Sequence, residues 1–191
     1  MRSALLLGVM VPLLAGCGSA ATTFVPSTKA PPQRHQLAWR EQYPGTRPAL
    51  VFGVRALTVT STGWKAEISV ENTSPVTWEV GGARSTLDRA FGLLLFPTGD
   101  LEELERRNRA GTLPVVRSAT MFEPPLPSSL EPGTSWRGVI SAPGPLAGGL
   151  WARVSFGPFA SVGDPPAGAA PQIVWFTDHA VRLRPDSRVS E

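Results

Sequence analysis

From Gly63 to Glu71 apolar and polar residues alternate without a break. Trp64, Ala66, Ile68 and Val70 fall on one face of an extended chain, and Lys65, Glu67, Ser69 and Glu71 on the other, which is the period-two signature of a half-buried strand. Asn72-Thr73-Ser74-Pro75 follows as a turn cluster, and the even positions of Val76 to Val80 are again apolar, so the pattern predicts a hairpin. Val51 to Thr60 reads as the preceding strand, separated by the turn Ser61-Thr62-Gly63. Runs at Phe91–Phe96, Val115–Phe122, Ser135–Ser141, Leu150–Phe156 and Ile173–Leu183 bring the expected total to about eight strands punctuated by Gly and Pro. No regular crossover helix follows them, which argues against a parallel βαβ sheet and for an all-β antiparallel sandwich.

One short helix is predicted, over Leu101 to Ala110, as an insertion between two strands. Asp100 stands at its N-cap and Glu103 at capping-box spacing; acids crowd the first turn and Arg106, Arg107 and Arg109 the last, before Gly111. Glu102 with Arg106, Glu103 with Arg107 and Glu105 with Arg109 are spaced for favourable i,i+4 pairing. About ten residues are too few for a helix to persist alone in water, so Leu101 and Leu104 are expected to dock it on the sandwich.

The N-terminus follows a different pattern. Arg2 precedes an apolar run of 11 residues, Ala4 to Leu14, and small residues follow at Ala15 and Gly16, the layout of an export signal. The run is well short of the roughly 20 residues a spanning helix needs. Leu14-Ala15-Gly16-Cys17 resembles the bacterial lipoprotein lipobox, which implies a diacylglycerol thioether on Cys17, the only cysteine, and cleavage before it. The resemblance places the mature protein on the extracytoplasmic face of a bacterial cell membrane or outer membrane, lipid-anchored. From Gly18 to about Pro48 the chain is rich in Ala, Thr, Ser and Pro and reads as a tether. The expected organisation is thus a signal peptide over residues 1–16, a lipidated cysteine and tether over 17–48, a sandwich over 49–184 and a tail over 185–191.

Val70-Glu71-Asn72-Thr73-Ser74-Pro75-Val76 and Leu130-Glu131-Pro132-Gly133-Thr134-Ser135-Trp136 resemble the turns of bacterial immunoglobulin-like sandwich domains. In those domains a strand ending in Asn-Thr-Ser turns into the next, and a Leu-x-Pro-Gly-x-Ser turn opens a late strand. The resemblance implies a fold; many unrelated functions share it.

Charge narrows the function. The full chain has 18 basic and 15 acidic residues, and loss of Arg2 with the signal leaves 17 against 15. No block of like charge appears, so nucleic acid is not an expected partner. Arg182, Arg184 and Arg188 could reach lipid head groups, although solvated strand faces account for them more simply. The two histidines, His35 and His179, lie in the tether and in the last strand, and no Gly-x-Ser-x-Gly or Ser-x-x-Lys arrangement accompanies them. Asp178 beside His179 does not make an orienting pair, because strand neighbours face opposite sides. Met121 is the only thioether outside the signal, and calcium-loop carboxylates are absent, so no metal or other cofactor is expected. Trp151, Arg153 and Ser155 fall opposite the apolar face of Leu150 to Phe156. With Leu101 and Leu104 on the helix they form the candidate binding surface, unless the helix or tether covers Trp151. The resulting expectation is a non-catalytic binding or scaffold module for an envelope protein or polysaccharide. Two alternatives remain open: a protease inhibitor presenting Glu123-Pro124-Pro125-Leu126-Pro127-Ser128-Ser129, and a hydrolase using two converging carboxylates, one with a raised pKa.

Overall fold

A computed structural model describes residues 29–81 and 91–185. The expected signal peptide and Cys17 therefore lie outside the described residues, as do Arg188 and most of the expected tail. Twelve strands and one helix follow in the order β1 (Gln33–Tyr43), β2 (Leu50–Val59), β3 (Gly63–Asn72), β4 (Trp78–Val80), β5 (Gly92–Phe96), α1 (Leu101–Ala110), β6 (Arg117–Ser118), β7 (Met121–Glu123), β8 (Ser129–Leu130), β9 (Ser135–Pro143), β10 (Trp151–Ser161), β11 (Gln172–Phe176) and β12 (Val181–Arg182). They form two antiparallel sheets, β1-β2-β3-β9-β7 and β6-β5-β10-β4-β8, with β11 and β12 also paired to β10. This is the all-β sandwich the alternation predicts, with more strands than the eight expected because two of the predicted runs divide and because β1 and β8 arise in stretches without a strand pattern.

The period-two pattern of β3 drives the packing. Trp64, Ala66, Ile68 and Val70 are buried beside Leu50, Phe52, Val54, Leu57 and Val59 of β2 and face Ala152, Val154, Phe156 and Phe159 of β10. Phe52 anchors the centre: its ring lies 5.0 Å from Phe156 and stacks on Trp175 at 5.5 Å with an interplanar angle of 8°. β10 is the spine of the second sheet. It pairs with β5 up to Ser155 and with β4 from Phe159, and Gly157, at φ 117°, makes the change of partner. A side chain is strained at that φ.

The helix occupies its predicted span. Asp100 takes an extended N-cap conformation without a side-chain cap bond, and the Glu103 carboxylate, at capping-box spacing, turns to Arg106 and, at 2.5 Å, to Arg107. Glu105 pairs with Arg109 at 3.6 Å, whereas Arg106 serves Glu103 and not Glu102. Gly111 adopts φ 64° and Thr112 N–H reaches Arg107 O at 2.9 Å, a left-handed helix stop. Leu104 packs on Leu94 and Phe96, so α1 covers the outer face of the second sheet and creates a second apolar cluster there.

Four expectations are corrected. The predicted hairpin of β3 and β4 is a crossover between sheets. Asn72, fully buried, makes that crossing: its Nδ2 donates to Val76 O (2.8 Å) and Leu130 O (2.9 Å), and its Oδ1 accepts from Ser74 N and Oγ. Its backbone bonds Gly133 and Thr134, which joins the two turn motifs to each other. The run Val115–Phe122 divides where Ala119 N–H bonds Phe91 O in one sheet and Thr120 N–H bonds Ser141 O in the other. The run Ile173–Leu183 breaks at Thr177–Ala180. Finally, residues 29–48 belong to the body and not to the tether, for Lys29 bridges Ala147 and β1 pairs along the whole length of β2. The inward positions of β1 include Gln33, His35 and Glu41, and its register shifts between Gln36 and Trp39 around Ala38 at φ 50°, so no alternation betrays it.

Replacing Asn72 with Ala leaves the Leu130 carbonyl and the Ser74 N–H without their side-chain partner, whereas Val76 O keeps Ser74 Oγ at 3.2 Å. The Asn72→Ala variant is expected to unfold about 2–4 kcal/mol more easily, read from its urea midpoint at unchanged slope.

Candidate functional site

The break between β11 and β12 results from a carboxylate on β1. Glu41 is buried, and both its oxygens are engaged: Oε2 accepts from Trp175 Nε1 (2.9 Å) and Asp178 N (2.9 Å), Oε1 from His179 N (3.1 Å) and His179 Nδ1 (2.8 Å). A carboxylate only accepts, so the His179 proton sits on Nδ1. The imidazole, with 58% of its side chain exposed, stacks on Trp39 at 5.6 Å and 21°.

Arg153 grips the same loop from the other side. Its side chain donates to the carbonyls of Thr177 (2.8 Å) and Asp178 and, on the helix side, to Gly99 O (2.7 Å), and it lies 5.7 Å from the Phe96 ring centre. Burial lowers its pKa, while Asp178, Glu41 and Asp100 oppose that shift. Asp178 titrates above the ordinary aspartate range, chiefly because of burial and then because of Glu41. Arg153 Nε and Ser155 Oγ have no partner among the described residues.

Trp39 connects this socket to an open groove on the outer face of the first sheet. The register aligns Arg40, Gly53, Ser69 and Arg137 in one row across β1, β2, β3 and β9. At about 4.8 Å per strand the two arginine backbones stand roughly 14 Å apart. Between them the floor is low. A Cβ on Gly53 would come 2.4 Å from Ser69 Oγ, so any larger residue there would turn the Ser69 hydroxyl aside and raise the floor. Bulges at Ala38 of β1 and Arg55 of β2 lie side by side and deepen the dip, and Trp39, Arg55 and Glu67 line its sides. Arg34 and Arg55 hydrogen-bond Glu67 at 2.6 Å each and hold its carboxyl below the usual glutamate range. Arg40 pairs with Glu71 at 3.3 Å. Arg137 has no ion-pair partner among the described residues.

The candidate surface read from alternation does not form as a unit. Arg153 does face away from the sandwich core, but it is 0% exposed because α1 and the loop after β11 roof that face. Trp151 is half-buried under Gly99, whose Cβ would lie 2.7 Å from its ring. Leu104 is 5% exposed, and only Leu101, at 40%, remains open. Leu101 and Leu104 instead line a groove with Tyr43, Val174 and Trp175. His35 lies on β1, bonded to Gln33 Oε1 at 2.9 Å; burial, and then Arg184, lower its pKa. In the 123–129 loop Leu126 packs on the core and Trp136 Nε1 bonds Pro125 O at 3.2 Å.

Trp39, Arg40 and Glu41 were hidden inside the presumed tether. The one signal that marked them was the pair of aromatics, Trp39 and Tyr43, in a stretch otherwise polar and Pro-rich. The Glu41 and His179 pair has the geometry of a base and its orienting acid, yet Nε2 of His179 has no hydrogen-bond partner among the described residues. Nor does any group of three His, Cys, Asp or Glu side chains converge as metal ligands among them. Comparison with protein-family models, curated proteins and solved structures found no match for this chain.

Glu41→Ala would leave the Trp175 indole and two loop amides without acceptors and remove one of the three carboxylates that favour the charged Arg153. A loss of about 3–5 kcal/mol is expected in chemical denaturation. The raised pKa of Asp178 has the opposite sign: the folded state binds that proton more tightly than the unfolded one, so the stability it contributes at low pH is lost as pH rises from the ordinary aspartate value through the folded one. Asp178→Asn is therefore expected to raise Tm at neutral pH, with the gain disappearing near pH 3, as followed by thermal unfolding across pH.

Proposed function

We propose that this chain is a lipid-anchored extracytoplasmic lipoprotein whose sandwich is a non-catalytic module that binds an acidic polysaccharide of the cell envelope. The lipobox Leu14-Ala15-Gly16-Cys17 supports the location. The observation that carries the binding reading is the row Arg40–Gly53–Ser69–Arg137, a low polar floor between two guanidinium groups. Four arginines and Lys65 against Glu67, Glu71 and Glu123 leave this face net positive, and the planar fork of Arg137 is available for a carboxylate or phosphodiester. Trp39 offers an aromatic wall of the kind that sugar rings pack against, held in place by His179 and, behind it, Glu41.

The hydrolase alternative has one point in its favour, a carboxyl with a raised pKa, Asp178, close to a second, Glu41. Glu41 already accepts four hydrogen bonds from this chain, which leaves it no lone pair to act as nucleophile or base without dismantling the loop. The inhibitor alternative requires a projecting side chain in the proline-rich loop, where Leu126 packs inward and Glu123, Pro124, Pro125 and Ser128 are exposed.

The probe is a carboxylated oligosaccharide, oligogalacturonate, with its methyl ester as the neutral control, titrated calorimetrically into the protein. Binding of the acid form, weakened about ten-fold or more in Arg137→Glu and in Ser69→Trp, is expected. Equal affinity for the ester, or indifference to both substitutions, would overturn the reading. Intact mass tests the anchor: acylation that begins at Cys17 and disappears, with membrane retention, in Cys17→Ala.

A further inference from the structure

The two ends of the described chain meet at one end of the sandwich. Lys29 bridges Ala147 and Ala30 N–H bonds Leu146 O at 2.8 Å. Arg184 exchanges bonds with the Gln33 side chain, N–H to Oε1 at 2.9 Å and O from Nε2 at 3.4 Å. Gly149 N–H bonds Leu183 O at 2.7 Å, and Arg182 stands opposite Trp151 at the start of β10. Lys29, Arg182 and Arg184 are thus gathered around the 146–150 loop, all exposed and none with an ion-pair partner among the described residues. Asp100 and Glu102, at the start of α1, follow β5, whose Phe96 pairs with Trp151 on the side of β10 opposite Arg182.

Only residues 18–28 separate Cys17 from Lys29, and none of those eleven is charged. At full extension eleven residues span at most about 40 Å. An acyl chain on Cys17 would therefore hold this end of the body a few screening lengths from the head groups, where ~8 Å is one such length. At that range the local concentration of surface is high, and a modest attraction decides whether the body stands off or rests on the membrane.

We propose that Lys29, Arg182 and Arg184 form a basic foot that rests the body on an anionic phospholipid surface and so fixes its orientation, with the 44–49, 73–77, 131–134 and 162–171 loops pointing away. The orientation rests on the anchor proposed above; the foot itself is tested separately. Each basic residue near an anionic surface contributes on the order of five-fold in association, so the three together exceed what salt-screened contacts would retain.

The test uses the full mature protein added to vesicles of phosphatidylcholine alone or mixed equally with phosphatidylglycerol, with flotation and amide hydrogen exchange as readouts. Flotation on the neutral vesicles reports the anchor. Slowed exchange in the 144–149 and 182–185 segments on the anionic vesicles only, reversed by ~0.5 M salt and by K29E/R182E/R184E without loss of flotation, is the expected result. Identical exchange on both lipids overturns the foot while leaving the anchor intact. Flotation on anionic vesicles alone refutes the anchor and upholds the foot, and flotation on neither refutes both.

Discussion

A carboxylate and a guanidinium that never touch hold the two sheets of this sandwich together. Glu41 belongs to the edge strand of one sheet and Arg153 to the central strand of the other, and the peptide groups of Thr177, Asp178 and His179 lie between them. The amides point to the anion and the carbonyls to the cation, so the loop's own dipoles complete an ion pair through the backbone. Bringing either charge into the interior alone would be expensive. Satisfied by N–H and C=O groups that themselves needed partners, both charges are accommodated, and β11 is forced to end at Phe176.

The rest of the open side follows from that closure. Trp175, bonded to Glu41, is drawn inward to stack on Phe52, which fills the centre of the core. His179, fixed by the same carboxylate, lays its ring along Trp39, and Trp39 forms one wall of the arginine groove. An interior ion is in this way connected to the shape of an outer surface through two aromatic rings, without any hydrogen bond reaching the groove itself.

Where sequence reading succeeded, several local signals agreed. The helix ends were legible because acids, arginines and Gly111 marked them independently of tertiary structure, and β3 because its alternation is undisturbed. β1 escaped notice because three of its inward residues are polar and satisfy one another or groups between Trp175 and Arg184, more than 130 residues away in the chain. For Arg153 the alternation gave the correct side of the strand but could not say what lies over it: periodicity reports a face, and only the path of the chain decides whether that face meets water. The hairpin misread at Asn72 has a similar cause, since a turn cluster announces a change of direction and carries no information about which sheet receives the next strand.

β1 enters the body at Lys29 and runs away from that end to Tyr43, antiparallel to β2 through nine residue pairs. A pull delivered through the N-terminus therefore acts along the strand, at right angles to the hydrogen bonds that hold it. All the bonds of the ladder share such a load and would have to fail together, where a pull across the strand would open them one at a time. The first strand thus gives the molecule its mechanical grip, with strength against traction from the side on which the chain enters.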